Sequence, residues 1–483
     1  MKRVLSCMAV ACALSVSVPV RAAPQVAPPA YRLGVGMSDI TGEAAEVGMM
    51  GYALLEQKTA GIHQRLRARA FIVQEAATQR SAVVVITDTG LVTQAIHQAV
   101  LARLKTRYGE LYHAQNVLIS ATHTHAGPGG YSHHALYNIT ILGFQKKTFE
   151  AIVDGIVEAV DRAHASRAPG DILLNQGELT NASRNRSAAA FRRNAAADRA
   201  VFPQEIDPLM SVLTFTQGGK PVGALSFFPT HGTSMTNANT LISGDNKGYA
   251  SYHWEHEHAG VRYRESKSPF VAAFAQTSAG DMSPNLNLKA GSGPTDDEFE
   301  NTRLIGLRQF DKALSLSTQA ATRLSGPVDH RMRYVDMSRV QVDGRYTPDG
   351  QAHTTCPAAL GASFAAGSEE DGPGPGIAKE GQPNPGLATV GRWLFWPSDA
   401  LKQCHGAKEI VLPVGQMPVG TWVPSTVPVQ LLRIGSLYLA SLPAESTIMS
   451  GYRIRRQLAR TLGVGIAQVL VVSYANAYTQ YIT

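Results

Sequence analysis

Cysteine is scarce, with four in 483 residues, and two of them, Cys7 and Cys12, fall within the first 22 positions. The local signatures of several large enzyme classes are also missing. There is no GxSxG, no GxxxxGK[ST], no HExxH and no GxGxxG, which argues against elbow-type serine hydrolases, P-loop enzymes and zincins. Past residue 20 no apolar run approaches the length needed to cross a bilayer. Charged residues make up only 17% of the chain, without long like-charge blocks or internal repeats, so disorder, coiled coil and solenoid are all disfavoured. What remains is the composition of an ordinary globular protein, long enough for one large or two ordinary domains.

The N-terminus does have a pattern. Lys2 and Arg3 precede an apolar run over 4–20, and Val20-Arg21-Ala22 supplies a small-residue cleavage site, so 1–22 reads as a secretory signal and the mature chain, 23–483, as exported to the periplasm or secreted. An uncleaved anchor is the alternative. Losing Lys2, Arg3 and Arg21 takes the net charge from +7 to +4, because 41 basic residues then face 37 acidic ones. That balance is too mild and too scattered to argue for nucleic acid as a partner, and it permits no more than a slight attraction to an anionic membrane surface. Cys356 and Cys404 remain, and in an oxidising compartment an even pair is most simply a disulfide.

Periodicity predicts a mixed α/β fold, with helices packed on β-sheets in one large domain. Strands are expected over 31–40, 66–74, 81–87, 117–119, 172–179, 209–216, 222–229, 269–276 and 468–474, and a hairpin over 429–442. Helices are expected over 91–107, 149–164 and 446–460, with another starting at the capping box Thr295-Asp296-Asp297-Glu298 and ending near 315. The Gly-, Pro- and Ala-rich stretch 356–386 reads as a long loop.

The chemistry-bearing residues gather where strands end. In Thr122-His123-Thr124-His125-Ala126-Gly127-Pro128-Gly129-Gly130-Tyr131 the two histidines are two apart after an apolar strand, so they face one side and suit a metal. His231 follows another strand, Glu445 sits between a strand and a helix, and Tyr481 follows the last strand. Singly, each has a plainer reading as a loop histidine, a helix-start carboxylate and a packed aromatic; together they suggest a catalytic metal site with nitrogen and oxygen ligands. Ser283 in Gly280-Asp281-Met282-Ser283-Pro284-Asn285 is either turn chemistry or a nucleophile lacking a neighbouring histidine base. Asp245 reads as a turn residue or as a support for His231, and His253, His256 and His258 as a solvated face rather than a second metal site.

At this point the residues resemble the neutral ceramidases. The resemblance is carried by Gly34-Val35-Gly36-Met37-Ser38-Asp39-Ile40-Thr41-Gly42, Met50-Gly51-Tyr52-Ala53, the His123–His125 segment, Asn185-Arg186-Ser187, Gly280–Asn285, Cys356-Pro357-Ala358-Ala359-Leu360-Gly361 and Tyr478-Thr479-Gln480-Tyr481-Ile482-Thr483, and it runs from about Tyr31 to the last residue. It implies hydrolysis of the amide bond of ceramide with Zn2+ held by His123, His231, Glu445 and Tyr481, and with Ser283 as nucleophile. His125 and Arg186 would line the reaction centre, and Cys356 and Cys404 would be a family disulfide. Attack through an acyl-serine and direct attack by water both stay open. Glu43 and Ala444 stand where the family has Pro and Gly. The family also continues past Tyr481 with a tyrosine-rich segment and an immunoglobulin-like domain, so a ligand two residues from Thr483 is expected to fray. Hydrolysis of other N-acyl lipids, or a catalytically silent domain that binds zinc or lipid, is the alternative.

Overall fold

The computed structural model describes residues 30–265, 269–374 and 376–483, and the leader-like 1–22 lies outside them. Its principal elements are β1 (Tyr31–Asp39), β2 (Arg67–Glu75), β3 (Ser81–Thr87), α1 (Gln94–Tyr108), β4 (Val117–Ala121) and α2 (Lys146–Ala165). There follow β5 (Ala168–Glu178), β6 (Leu209–Gln217), β7 (Lys220–Phe227), α3 (Asp245–Tyr252), β8 (Val271–Ala275) and α4 (Glu298–Ser317). The last group is β9 (Val328–Asp336), α5 (Pro385–Phe395), β10 (Thr426–Ile434), β11 (Leu437–Ser441), α6 (Ile448–Leu462) and β12 (Val469–Val472). Among the described residues no helix is long and apolar enough to cross a membrane.

The large sheet runs in the order β8-β7-β6-β5-β1-β2-β3-β4, with β3–β4 and β7–β8 parallel. Its central strands are apolar on both faces because both faces are covered. Ala82, Val84 and Ile86 of β3 join one core, while Val83 and Val85 join the other, as the two-residue side-chain period requires. Helices α1 and α2 cover one face. The opposite face packs on α3, α4 and a second sheet of order β9-β10-β11-β12, whose last pair is again parallel. This is the expected mixed α/β architecture.

Three details depart from the sequence expectation. Helix α4 is capped by Asp297, whose carboxylate accepts from the Glu300 N–H at 2.8 Å, rather than by Thr295. The turn His253–His258 is not simply a solvated face. Glu255 points inward and pairs with Arg69 at 2.8 Å, while Arg69 also reaches Asp88 at 2.8 Å, and all three are buried; an ion-paired interior charge is tolerated because its partners replace water. The 356–404 segment is closed by the Cys356–Cys404 disulfide and, past the expected loop, carries α5, which Asn384 caps by accepting from the Leu387 N–H at 2.9 Å.

His97 lies on α1 inside the helix-covered core, where burial pushes its imidazole down to about 4 from 6.5. The unfolded chain therefore binds this proton before the folded one does, and stability falls as the pH drops from 6.5 towards 4. Against the parent, His97→Leu should become relatively more stable by about 1.4 kcal/mol for each pH unit over that interval. Urea unfolding of both proteins across the interval checks this.

Candidate metal centre and active site

Every polar residue singled out at a strand end lies beyond the C-terminal end of its strand, and the parallel pairs bring those ends together. His123 and His125 follow β4, His231 follows β7, Ser283 follows β8, Glu445 follows β11, and Tyr474, Tyr478 and Tyr481 follow β12. The ends of β4 and β12 are tied directly: the Ile119 N–H donates to Asn476 Oδ1 and the Asn476 N–H to the Ile119 carbonyl, each at 2.9 Å. Glu445 and Tyr481 sit opposite each other in a short parallel ladder, with the Glu445 N–H donating to the Gln480 carbonyl at 2.8 Å. The backbone pays in strain, since His123, Tyr474, Asn476 and Gln480 all adopt positive φ, between 56° and 70°, a region costly for residues other than glycine and concentrated at functional sites.

The His123 Nδ1 atom faces the Gly90 carbonyl, and His231 Nδ1 faces the Ala279 carbonyl at 2.7 Å. A carbonyl can only accept, so each Nδ1 carries the proton and each Nε2 presents its lone pair inward. Both Nε2 atoms converge on Glu445 Oε2, at 3.5 Å from His123 and 3.3 Å from His231. His125 Nε2 lies 3.1 Å from His123 Nε2. Burial pushes His123 down to about 4, and burial together with its histidine neighbours holds His125 well below its ordinary value. Burial opposes the charge on Glu445, yet His123, His231 and the Tyr478 hydroxyl outweigh it and keep the carboxyl far below its usual range. Neutral imidazoles around an ionised, hydrogen-bonded carboxylate are the protonation states a metal requires. Among the described residues, His123, His125 and His231 form the one group of three such donors, their ligand atoms all within 4.8 Å.

Arg186 joins this cluster to Ser283. Its Nη2 donates to His231 Nε2 at 3.0 Å, to the Gly280 carbonyl at 3.0 Å and to the Tyr481 hydroxyl at 2.9 Å, and its Nη1 donates to Asp371 Oδ2 at 2.5 Å. The other Asp371 oxygen accepts from the Ser283 hydroxyl and from Asn285 Nδ2, the latter at 2.8 Å. Burial opposes ionisation of Asp371, but the Arg186 charge beside it holds the carboxyl below its usual range. Ser283 itself is fully buried behind Asp371. A cavity of about 1210 Å3 opens in front, with His123, His125, Arg186, Asp371, Glu445 and Tyr481 in its lining and Met49, Leu54, Leu91, Phe191, Leu360 and Phe364 among its apolar walls.

The structure thus gathers His123, His125, Arg186, His231, Glu445 and Tyr481 around one point and sets Ser283 one carboxylate away. Asp245 does not touch the His231 ring. Its carboxylate accepts from the Ser234 and Met235 N–H groups, at 3.2 and 2.8 Å, and so shapes the loop after His231. Sequence reasoning missed Asp371, whose only signal was an acidic residue heading a Gly-Pro run, and the roles of Tyr474 and Tyr478, whose hydroxyls both donate to Glu445.

Residues 31–483 match the N-terminal part of the neutral/alkaline non-lysosomal ceramidases. The chain belongs to that family. It is 54% identical over 456 residues to the neutral ceramidase of Pseudomonas aeruginosa strain PAO1, covering 94% of this chain and 67% of that protein. It is 46% identical over 456 residues to the neutral ceramidase of Mycobacterium tuberculosis, covering 93% and 71% respectively. A solved ceramidase complexed with C2 superposes with a TM-score of 0.85 at 53% identity, over 94% of this chain and 70% of that one. The crystal structure of the P. aeruginosa neutral ceramidase superposes with a TM-score of 0.82 at 50% identity, over 94% and 69%.

Within this candidate site the two histidine loops touch at Gly232, where the His125 N–H donates to the Gly232 carbonyl at 3.0 Å and an added Cβ would stand 2.2 Å from the His123 carbonyl oxygen. Gly232→Ala must push the loops apart. It should destabilise the fold by about 1–3 kcal/mol and weaken binding of a divalent cation by roughly 10- to 100-fold. Thermal unfolding and competition against a chromophoric chelator measure the two effects.

Proposed function

We propose that the protein is a zinc-dependent amidohydrolase that cleaves the N-acyl bond of ceramide, releasing sphingosine and a fatty acid. The convergence of His123, His231 and Glu445 at a cavity walled by apolar side chains carries this reading. His123, His231, Glu445 and Tyr481 would hold the ion, a nitrogen and oxygen donor set that suits zinc. When bound there, zinc supplies a Lewis acid that polarises the amide carbonyl and lowers the pKa of water.

The chain's own residues do the rest. Ser283 supplies the attacking oxygen, its hydroxyl oriented by donation to Asp371 and by acceptance from the Asn285 N–H at 2.9 Å. Arg186 keeps Asp371 ionised and, with His125, borders the place where negative charge develops on the carbonyl oxygen. Tyr474 and Tyr478 hold Glu445 in orientation through its two oxygens. The apolar walls receive the alkyl chains and exclude water from the carbonyl. The serine hydroxyl proton passes to the departing nitrogen as the C–N bond breaks, which frees the amine of the sphingoid base and leaves the acyl group as an ester on Ser283; one water then hydrolyses that ester to the carboxylic acid and the free serine. Export to the periplasm or medium belongs to this reading, supported by the leader-like 1–22 and by the disulfide.

Purified protein should release fatty acid from ceramide, lose this on treatment with a strong chelator and regain it when zinc is returned. Ser283→Ala should cut the rate by about a thousandfold or more with one zinc per chain still bound, as measured by metal analysis. Zinc at one per chain with no turnover of any N-acyl sphingoid base would overturn the enzymatic reading in favour of a silent binding domain, and faster turnover of other N-acyl lipids would reassign the substrate.

A further inference from the structure

The disulfide-closed segment carries a surface that the proposed chemistry leaves unused. Helix α5 turns Ala388 and Gly391 inward, and a Cβ on Gly391 would stand 2.3 Å from the Val411 carbonyl oxygen, so the helix lies flat against the strand Ile410–Leu412. That strand pairs with Leu360–Gly361, and both residues of the latter line the cavity. The outer face of α5 is apolar and open. Trp393 is 71% exposed and Trp396, just past the helix end, 79%, with Val390 and Leu394 more than half exposed beside them. Phe364, from the same segment, is half exposed at the cavity lining.

Single exposed apolar residues need no explanation, but a contiguous aromatic and aliphatic face marks an interaction surface. Two exposed tryptophans and a leucine on a short helix have the chemistry of the bilayer interface, where aromatic rings sit at headgroup level; the Trp396 N–H is satisfied by the Trp393 carbonyl, which leaves its ring free to bury. The charges nearby have both signs, with Lys402 paired to Asp399 at 2.9 Å, so they make no strong field toward an anionic partner. The face itself does not line the cavity, but the segment that carries it does, through Leu360, Gly361 and the half-exposed Phe364.

We propose that the outer face of α5, with Trp393 and Trp396 as its anchors, seats the protein on a lipid bilayer of zwitterionic headgroups and sets the cavity against the membrane from which its lipid is drawn. The lipid source rests on the ceramidase reading above; the bilayer contact does not.

The full chain and a Trp393→Ser/Trp396→Ser variant are compared on phosphatidylcholine vesicles containing a few per cent ceramide. The parent should sediment with the vesicles and the variant should bind about tenfold less or weaker, with little change on raising salt. Hydrolysis of vesicle ceramide should fall in step, while hydrolysis of a short-chain ceramide dispersed in water stays as in the parent, which also reports that the variant is folded. Equal vesicle binding by the two proteins would overturn the proposal. So would an equal loss on both substrates, or light scattering showing a parent dimer that the variant converts to a monomer without any vesicle binding. Vesicle binding lost in the variant, with no ceramide hydrolysis by either protein, would uphold the bilayer surface and overturn the ceramidase reading.

Discussion

One guanidinium, that of Arg186, sits where the histidine and glutamate cluster and the serine side of the site meet. Its charge is wholly buried, which is costly unless the surroundings supply compensating charge and acceptors. Here they do, through Asp371, Tyr481, His231 and the Gly280 carbonyl. Burial works against the charge, but Tyr481, Asp371 and Glu445 around it keep it protonated. The same bonds that stabilise Arg186 also fix the relative positions of a loop after β7, a loop after β8, a segment near the end of the chain and the disulfide-closed insertion. Two carboxylates, Asp371 and Glu445, face this single cation among neutral imidazoles. The net negative charge that remains is one a divalent ion offsets.

Much of this arrangement was legible in the chain. Strands such as β3 and β4 announced themselves because both faces are buried, so the sequence is nearly continuous in apolar residues. His123, His231, Ser283 and Glu445 could be picked out because each stands just past such a run. Their mutual proximity was not a matter of local pattern. It follows from parallel pairing of β3 with β4, β7 with β8 and β11 with β12, which sends several C-terminal strand ends in one direction.

What stayed hidden depends on contacts remote in sequence. Asp371 lies 88 positions from Ser283 and sits in a Gly-Pro run whose composition says only that the backbone turns. Glu255 looked solvated among three histidines because its partner Arg69 is 186 positions away. Helix α5 follows directly on the loop-like composition of 356–386, and only its Asn384 cap and Pro385 mark the change. In each case a local reading assigned the cheapest environment, and a distant partner made a different one affordable.

The disulfide between Cys356 and Cys404 has a bearing on the site although neither cysteine lines the cavity. His123, His231, Glu445 and Tyr481 all lie outside the segment it closes, whereas Asp371 lies inside. The donor cluster is assembled by the sheets, but the carboxylate that orients Ser283 belongs to an insertion whose conformational freedom is limited by a covalent link. Such a link is stable only where thiols are oxidised. The compartment therefore enters the geometry of the site as a structural parameter: reducing surroundings would leave the cluster of His123, His231 and Glu445 in place while releasing the residue whose carboxylate accepts from the Ser283 hydroxyl.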